Sequence, residues 1–147
     1  MIKGIDHLAI STGDIDRLAS FYRDQLRFKD VSTHEWTAGN SIADQIIGLH
    51  DSEVRVIMLR LGEVCLELFE FHQPAPKRSD PVRPACDHGI THLCLQVEDI
   101  YTEYERLRAS GMPFHCPPQE VGGGTMRATY GRDPDGNIVE LIEHLAA

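Results

Sequence analysis

The stretch Gly4-Ile5-Asp6-His7-Leu8-Ala9-Ile10 occurs twice in this chain, the second time as Gly89-Ile90-Thr91-His92-Leu93-Cys94-Leu95. Each copy leads, four residues later, into an Asp-Ile pair (Asp14-Ile15 and Asp99-Ile100), and a stretch of helical periodicity follows. Six of the twelve aligned positions are identical, and the histidine is one of them. A duplicated strand with a duplicated histidine predicts two half-sheets related by a pseudo-twofold axis, with the two imidazoles facing each other. In such an arrangement a small chain can form a metal site.

The composition is that of one ordinary globular domain. The chain has 147 residues, of which 41% are hydrophobic and 25% charged, enough to bury a sizeable core. A net charge of −9 argues against nucleic acid or an anionic membrane as a partner, because both need a basic face. No apolar run reaches about 18 residues, and the N-terminus leads straight into a strand, so we expect neither a membrane span nor a signal peptide.

The four cysteines have no short paired spacing and no neighbouring histidine pattern. They stand at Cys65, Cys86, Cys94 and Cys116. This usage is typical of reduced thiols, and it predicts a cytoplasmic protein rather than a disulfide framework or a zinc knuckle.

Hydrophobic periodicity predicts the elements of the first half. A strand at residues 5–11 is followed by a helix, whose apolar stripe is formed by Ile15, Leu18, Ala19, Tyr22 and Leu26. Residues 28–50 carry little pattern apart from a short helix at 41–47. A hairpin then spans 54–61 and 64–71, with its turn at Gly62-Glu63.

The second half repeats this plan after a proline-rich linker at residues 73–87. A strand at 90–97 precedes a helix capped by Asp99, and a last hairpin spans 126–130 and 138–144. The predicted fold class is therefore α+β, with two βαβββ modules forming a curled mixed sheet around a metal-binding cleft. We expect one domain over residues 1–147, with module one at about 1–72 and module two at about 88–147.

Strand parity selects the residues that carry chemistry, because successive side chains point to opposite faces of a sheet. Leucines, an isoleucine and a valine take the core face of four strands, so the residues between them lie on the open face. On that face each half presents one histidine and one glutamate: His7 with Glu67, and His92 with Glu140. Two imidazoles and two carboxylates suit one divalent metal ion such as Ni, Co, Mn, Zn or Fe. Four protein ligands would leave two positions of a six-coordinate ion for water or for paired substrate oxygens.

Other polar residues are weaker candidates. Arg127 or Arg132 could bind an anionic group of the substrate, although exposed arginines are usually solvated. Glu35 and Asp44 lie in the irregular part of the first half and could supply an extra base.

These residues resemble the vicinal oxygen chelate superfamily, which includes glyoxalase I, methylmalonyl-CoA epimerase, extradiol dioxygenases, and fosfomycin and bleomycin resistance proteins. The resemblance covers nearly the whole chain, through the two strand motifs, Phe21-Tyr22, Leu66-Glu67-Leu68 and the run from Asp133-Pro134-Asp135-Gly136 to Glu140-Leu141. It implies paired βαβββ modules whose sheets curl around a metal ion, a small-molecule substrate and a homodimer.

The second of the four predicted metal ligands, Glu67, indicates which members of the superfamily this chain resembles most. Extradiol dioxygenases and fosfomycin resistance enzymes use His, His and Glu, whereas the matching second position here is Glu67. The set His7, Glu67, His92 and Glu140 is similar to that of bacterial-type glyoxalase I and of some methylmalonyl-CoA epimerases. The resemblance thus implies a metal-dependent isomerase or lyase, in which a metal-chelated carbonyl or thioester substrate is enolised and Glu67 or Glu140 is the catalytic base.

Two other functions stay open at the level of sequence. A metabolite- or antibiotic-binding protein of the same fold would need no four-ligand site. An iron-dependent ring-cleaving dioxygenase would need iron and would consume oxygen.

Overall fold

A computed structural model describes residues 1–145. The chain divides into two compact units, Met1–Arg78 and a second that begins at Ser79. The division lies inside the proline-rich segment that the sequence predicts as a linker. The prediction of a single domain over 1–147 stays a prediction, and the last two residues of the predicted second module lie outside the described residues.

The first unit is a four-stranded mixed sheet with helices. Its elements in chain order are β1 (His7–Thr12), α1 (Ile15–Ser20), β2 (Lys29–Trp36), α2 (Ser41–Ile47), β3 (Glu53–Leu61) and β4 (Val64–Gln73). The strand order is β1-β4-β3-β2, with β1 parallel to β4 and the other neighbours antiparallel. A π-helical turn, Phe21–Gln25, extends α1.

The second unit has the same topology. Its elements are β5 (His92–Gln96), α3 (Ile100–Ala109), β6 (Gln119–Val121), β7 (Met126–Arg132) and β8 (Ile138–His144). The strand order is β5-β8-β7-β6, and β5 runs parallel to β8. The predicted α+β class with two βαβββ modules is thus confirmed.

Each core lies between a sheet and its helix. The five predicted stripe residues of the first helix are all buried, and they face Leu66 and Leu68 of β4. In the second unit Ile100 and Leu107 of α3 are buried with Val139 and Leu141 of β8. This burial leaves the other face of each sheet for the residues between these positions.

Side-chain caps start the helices where the sequence predicts them. The Asp14 carboxylate accepts a hydrogen bond from the Arg17 amide, and the Asp99 carboxylate accepts one from the Thr102 amide. Within the described residues, no helix is long and apolar enough to cross a membrane.

Two strands were not predicted, and both lie at sheet edges. β2 alternates little between apolar and polar residues, and its pairing with β3 contains a register shift between Asp30 and Ser32. β6 has only three residues, all exposed. Edge strands of this kind are specified by their neighbours more than by their own periodicity.

Candidate metal centre

The backbone register places one histidine and one glutamate on the same face of each sheet. In the β1–β4 pairing His7 lies opposite Cys65, and Ala9 lies opposite Glu67. The β5–β8 pairing repeats this relation, since His92 lies opposite Ile138 and Cys94 lies opposite Glu140. Glu67 is paired with Ala9 and Glu140 with Cys94, and each of these partners lies two residues after the histidine on the same strand. A spacing of two residues keeps the histidine and the glutamate on one face of the sheet.

Each pair is in direct contact. His7 Nε2 lies 3.2 Å from Glu67 Oε2, and His92 Nε2 lies 3.0 Å from Glu140 Oε2. Two ligand atoms at about 2.1 Å from one ion are about 3.0 Å apart at right angles and about 3.4 Å apart at the tetrahedral angle. The spacing of both pairs therefore fits adjacent positions around a divalent metal ion.

The other ring nitrogen of each histidine is held by the residue before it. His7 Nδ1 lies 2.8 Å from Asp6 Oδ2, and His92 Nδ1 lies 2.8 Å from Thr91 Oγ1. The hydrogen bond that the His7 ring donates to Asp6 is the main cause that raises the pKa of His7. The Glu67 charge adds a smaller contribution, and burial acts against both. A hydrogen bond at Nδ1 fixes the ring orientation and directs Nε2 toward a ligand, as around many metal-bound histidines.

The two glutamates differ in what faces them from the next strand. Glu67 lies opposite Met58 of β3, whereas Glu140 lies opposite Tyr130 of β7, whose ring centroid is 5.0 Å from that of His92. Burial and the Glu140 charge raise the pKa of Tyr130. Burial, followed by a hydrogen bond with Glu140, raises the pKa of Cys94 to about 12. The phenol and the thiol therefore stay protonated near neutral pH beside Glu140.

A tight loop positions the strand that carries Glu140. The Asp133 carboxylate accepts hydrogen bonds from the amides of Asp135 and Asn137 and from the Asn137 side chain, at 2.8–2.9 Å. Asp133 is itself only 4% exposed. This closed network explains why the run from Asp133 to Asn137 precedes β8: it fixes the turn and hence the register of Glu140.

A family model described as the Glyoxalase/Bleomycin resistance protein/Dioxygenase superfamily matches residues 4–141. The chain belongs to this superfamily. Its members generally bind a divalent metal ion, and the fold typically binds small-molecule substrates.

Two superfamily relatives match nearly the full length of the chain. A probable lactoylglutathione lyase of Synechocystis is 27% identical over 137 residues, covering 93% of this chain and 92% of that protein. A lactoylglutathione lyase of Haemophilus influenzae is 26% identical over 140 residues, covering 94% of this chain and 90% of that protein.

A solved structure of the superfamily supports the fold. A glyoxalase family protein from Bacillus cereus has a TM-score of 0.88 at 21% identity, covering 99% of this chain and 97% of that one. At that identity the likeness concerns the fold alone.

The four predicted ligands thus form two contacting pairs, one in each unit of this superfamily member. Among the described residues, no third His, Cys, Asp or Glu of the same unit joins either pair to complete a metal-binding group. The donor types and spacings fit a divalent ion, and the four-ligand set stays a prediction.

Arg127 and Arg132, the two arginines that the sequence suggested for binding an anionic substrate group, are both engaged by other groups of the protein. Arg127 lies opposite Glu143 in the β7–β8 register, on the face that packs against α3, with a guanidinium nitrogen 3.4 Å from the Glu143 carboxylate. Its guanidinium also lies 5.2 Å from the centre of the Tyr101 ring. Arg132 is on the open face, but it donates to backbone carbonyls of the loops around it.

The two extra acids do not reach the Glu67 pair either. Glu35 lies opposite Arg55, on the α1 side of the first sheet and therefore on the face away from Glu67. The Asp44 carboxylate is bound by the amide and the hydroxyl of Ser52, so it serves as a structural acceptor.

Asp6, Thr91 and Tyr130 were not identified from the sequence as site residues. Both strand motifs place an oxygen-bearing side chain before the histidine, which is a usable signal although the residue types differ. Counting back from the Asp133–Asn137 turn would also have placed Tyr130 opposite Glu140.

Proposed function

We propose that this chain is a metal-dependent lyase or isomerase of the glyoxalase I or methylmalonyl-CoA epimerase type, which enolises a carbonyl or thioester substrate. The observation that carries the proposal is the repeated His–Glu contact, 3.2 Å for His7 with Glu67 and 3.0 Å for His92 with Glu140. A binding protein has no need for two matched imidazole–carboxylate pairs in one duplicated register. The lactoylglutathione lyase names of the two relatives agree with this assignment.

The four residues would hold one divalent ion through two imidazole nitrogens and two carboxylates. When bound, such an ion polarises the substrate carbonyl and stabilises negative charge on its oxygen. For Nε2 of His7 to be a ligand, the ring proton must be on Nδ1, and the Asp6 carboxylate is placed to accept it. Thr91 Oγ1 can accept the corresponding proton of His92.

Glu67 or Glu140 would take the proton from the carbon next to the carbonyl and later return it. The two carboxylates have equivalent places in the repeat, so each can serve one face of the substrate carbon, as an epimerisation needs. Apolar side chains lie on the same faces: Met58 and Phe69, both half-buried, in the first unit, and Ile138, which is buried, in the second. They would limit water near the carboxylates. Exclusion of water strengthens the electrostatic interactions of a site.

We also propose that the protein is a homodimer that acts in the cytoplasm on a small molecule. Size-exclusion chromatography with light scattering would test the dimer. The cytoplasmic location follows the cysteine usage of the sequence, which is typical of reduced thiols.

The test of the proposed function combines metal analysis with two assays. Protein purified without chelator is analysed for metal per chain, as wild type and as His7→Ala and His92→Ala, with His50→Ala as the control because that side chain is 92% exposed. The metal-loaded protein is then assayed with the hemithioacetal of methylglyoxal and glutathione, and with methylmalonyl-CoA in deuterium oxide.

We expect about one divalent ion per chain, lost in both ligand variants and kept in the control, and turnover or proton exchange with one of the substrates. No bound metal, and none taken up on addition, would contradict the proposal and favour a binding protein. Iron dependence with oxygen consumption would instead favour a dioxygenase.

A further inference from the structure

A third side chain lies in the same row as His7 on the open face of the first sheet. Arg60 of β3 is opposite Cys65 of β4, and Cys65 is opposite His7 of β1. Residues paired across neighbouring strands point to the same face. The row therefore runs Arg60, Cys65, His7 across three strands.

The Arg60 guanidinium is oriented by a hydrogen bond to a thiol, and the carboxylates of Glu63 and Asp6 lie near enough to attract it. Its Nε donates to Cys65 Sγ at 3.4 Å, which turns the group over β4 toward His7. Within residues 1–145 this is the hydrogen bond that Arg60 makes, and the residue is exposed. The two terminal nitrogens form a planar fork that matches a carboxylate.

The repeat provides an internal comparison at the equivalent place of the second unit. Arg132 of β7 is opposite Ile138 of β8, and Ile138 is opposite His92. There the guanidinium donates to the Gly136 carbonyl at 2.6 Å and to the Arg83 carbonyl at 3.0 Å. The two repeats thus carry an arginine at equivalent places. Arg132 holds a loop through its terminal nitrogens, whereas among the described residues Arg60 donates only through Nε.

The surroundings of Arg60 favour an anionic ligand with an apolar part. The chain carries a net charge of −9, so an anion needs a local positive charge to approach. On the other side of Glu67 along β4, Phe69 and Phe71 stack with ring centroids 5.6 Å apart and planes at 12°. Along β4 the open face therefore changes in character. It is cationic near Cys65, where Arg60 lies, then carries the His7–Glu67 pair, and becomes aromatic at Phe69 and Phe71.

We propose that Arg60 binds a carboxylate of the substrate, beside the paired oxygens that reach the His7–Glu67 pair. The substrate class is then a small carbonyl compound that carries a carboxylate and an apolar group. This inference rests on the proposed function, because it needs a metal ion at the His7–Glu67 pair. Arg60 is a specificity-determining residue in this scheme, and it takes no part in proton transfer.

The test uses two hydroxamates that differ by one carboxylate. Acetohydroxamate and succinic acid monohydroxamate both present paired oxygens to a metal ion, and only the second carries an anionic tail. Their dissociation constants are measured by calorimetry on the metal-loaded protein. The variants are Arg60→Met, which keeps the length of the side chain, and Arg60→Lys, which keeps the charge. Arg108→Met is the matched control, because Arg108 is an exposed arginine of α3 paired with Glu105.

We expect the wild type and the Arg108→Met control to bind the carboxylate-bearing hydroxamate about fivefold more tightly than acetohydroxamate. This preference should vanish in Arg60→Met and return in part in Arg60→Lys, while the affinity for acetohydroxamate stays constant. Equal binding of both hydroxamates to the wild type, or a preference that survives Arg60→Met, would overturn the role of Arg60 and leave the proposed function standing. Failure of both compounds to bind would overturn the proposal that the metal-loaded protein chelates paired oxygens, and the Arg60 proposal with it.

Discussion

His7 and Glu67 lie on the first and last strands of the first unit in sequence, and Nε2 of the imidazole is 3.2 Å from Oε2 of the carboxylate. The parallel β1–β4 register creates this contact, since Ala9 rather than His7 is the partner of Glu67. His92 and Glu140 show the same offset in the second unit. A duplicated backbone thus places the same two chemical groups at the same spacing twice.

Glu67→Gln and Glu140→Gln test which carboxylate moves the proton. Each variant keeps the size of the side chain and removes its basicity. We expect the variant of the base to lower kcat by about 10²- to 10⁴-fold, with an unchanged circular dichroism spectrum. Glu63→Gln, in the exposed turn between β3 and β4, is the control. A kcat equal to that of the wild type in both Glu67→Gln and Glu140→Gln would show that neither glutamate is the base.

Asp6→Asn and Thr91→Val test the hydrogen bonds at Nδ1. Asp6→Asn leaves only a neutral amide oxygen as acceptor, and Thr91→Val removes the hydroxyl. Each therefore weakens a hydrogen bond that orients an imidazole, so the metal affinity should fall about tenfold. Competition with a chromophoric chelator measures the dissociation constant directly. Asp87→Asn is a suitable control, since Asp87 is exposed in the segment before β5. Unchanged affinity in both variants would mean that packing alone orients the two rings.

The repeat and the strand parity were sufficient to predict the fold class and the partners of each His–Glu pair. His7 and Glu67 could be matched because Leu66 and Leu68 take the buried face and leave Glu67 on the other. β2 escaped prediction because residues 29–36 are mostly exposed and show no alternation in burial.

The roles of the arginines could not be predicted, because they depend on contacts with loops that carry no periodic signal. Arg132 looks as exposed in sequence as Arg60, yet it donates to the carbonyls of Gly136 and Arg83. Arg60 was not identified from the sequence as a site residue. Its place opposite Cys65 is fixed by the hairpin register, which follows from the turn at Gly62-Glu63.

Gly136→Ala should destabilise the loop that positions Glu140. Gly136 has a φ of +89°, and a Cβ there would collide with the backbone of Pro81. We expect a loss of about 3 kcal/mol in the free energy of unfolding, from backbone strain and overpacking together. Gly62→Ala is the matched control, because Gly62 has a φ of +58° with no atom near the added methyl group. It should cost about 1 kcal/mol, and equal losses in urea unfolding would contradict the close approach of Pro81.

Trp36 joins a hydrogen-bond network that ties α2 to the start of β3. Its Nε1 donates to Ser52 Oγ at 2.9 Å, and the Ser52 hydroxyl donates to Asp44 Oδ1 at 2.5 Å. Ser52 is fully buried. Trp36 is the one tryptophan of the sequence, so its fluorescence reports on this network.

Asp44→Asn should therefore destabilise the first unit in a pH-dependent way. The Ser52 hydroxyl, followed by the Ser52 amide, holds the pKa of Asp44 below its ordinary value of 3.8. A carboxyl with a lowered pKa stabilises the folded state fully above its unfolded value, and that contribution is lost as the pH falls through the folded pKa. The urea midpoint of wild type, followed by Trp36 fluorescence, should exceed that of Asp44→Asn at pH 6, and the difference should shrink below pH 3.8. Asp87→Asn should show no such difference at either pH. A gap between wild type and Asp44→Asn that stays constant down to the lowest pH would mean that the charge of Asp44 contributes nothing, and that the variant acts through the geometry of the Ser52 contact alone.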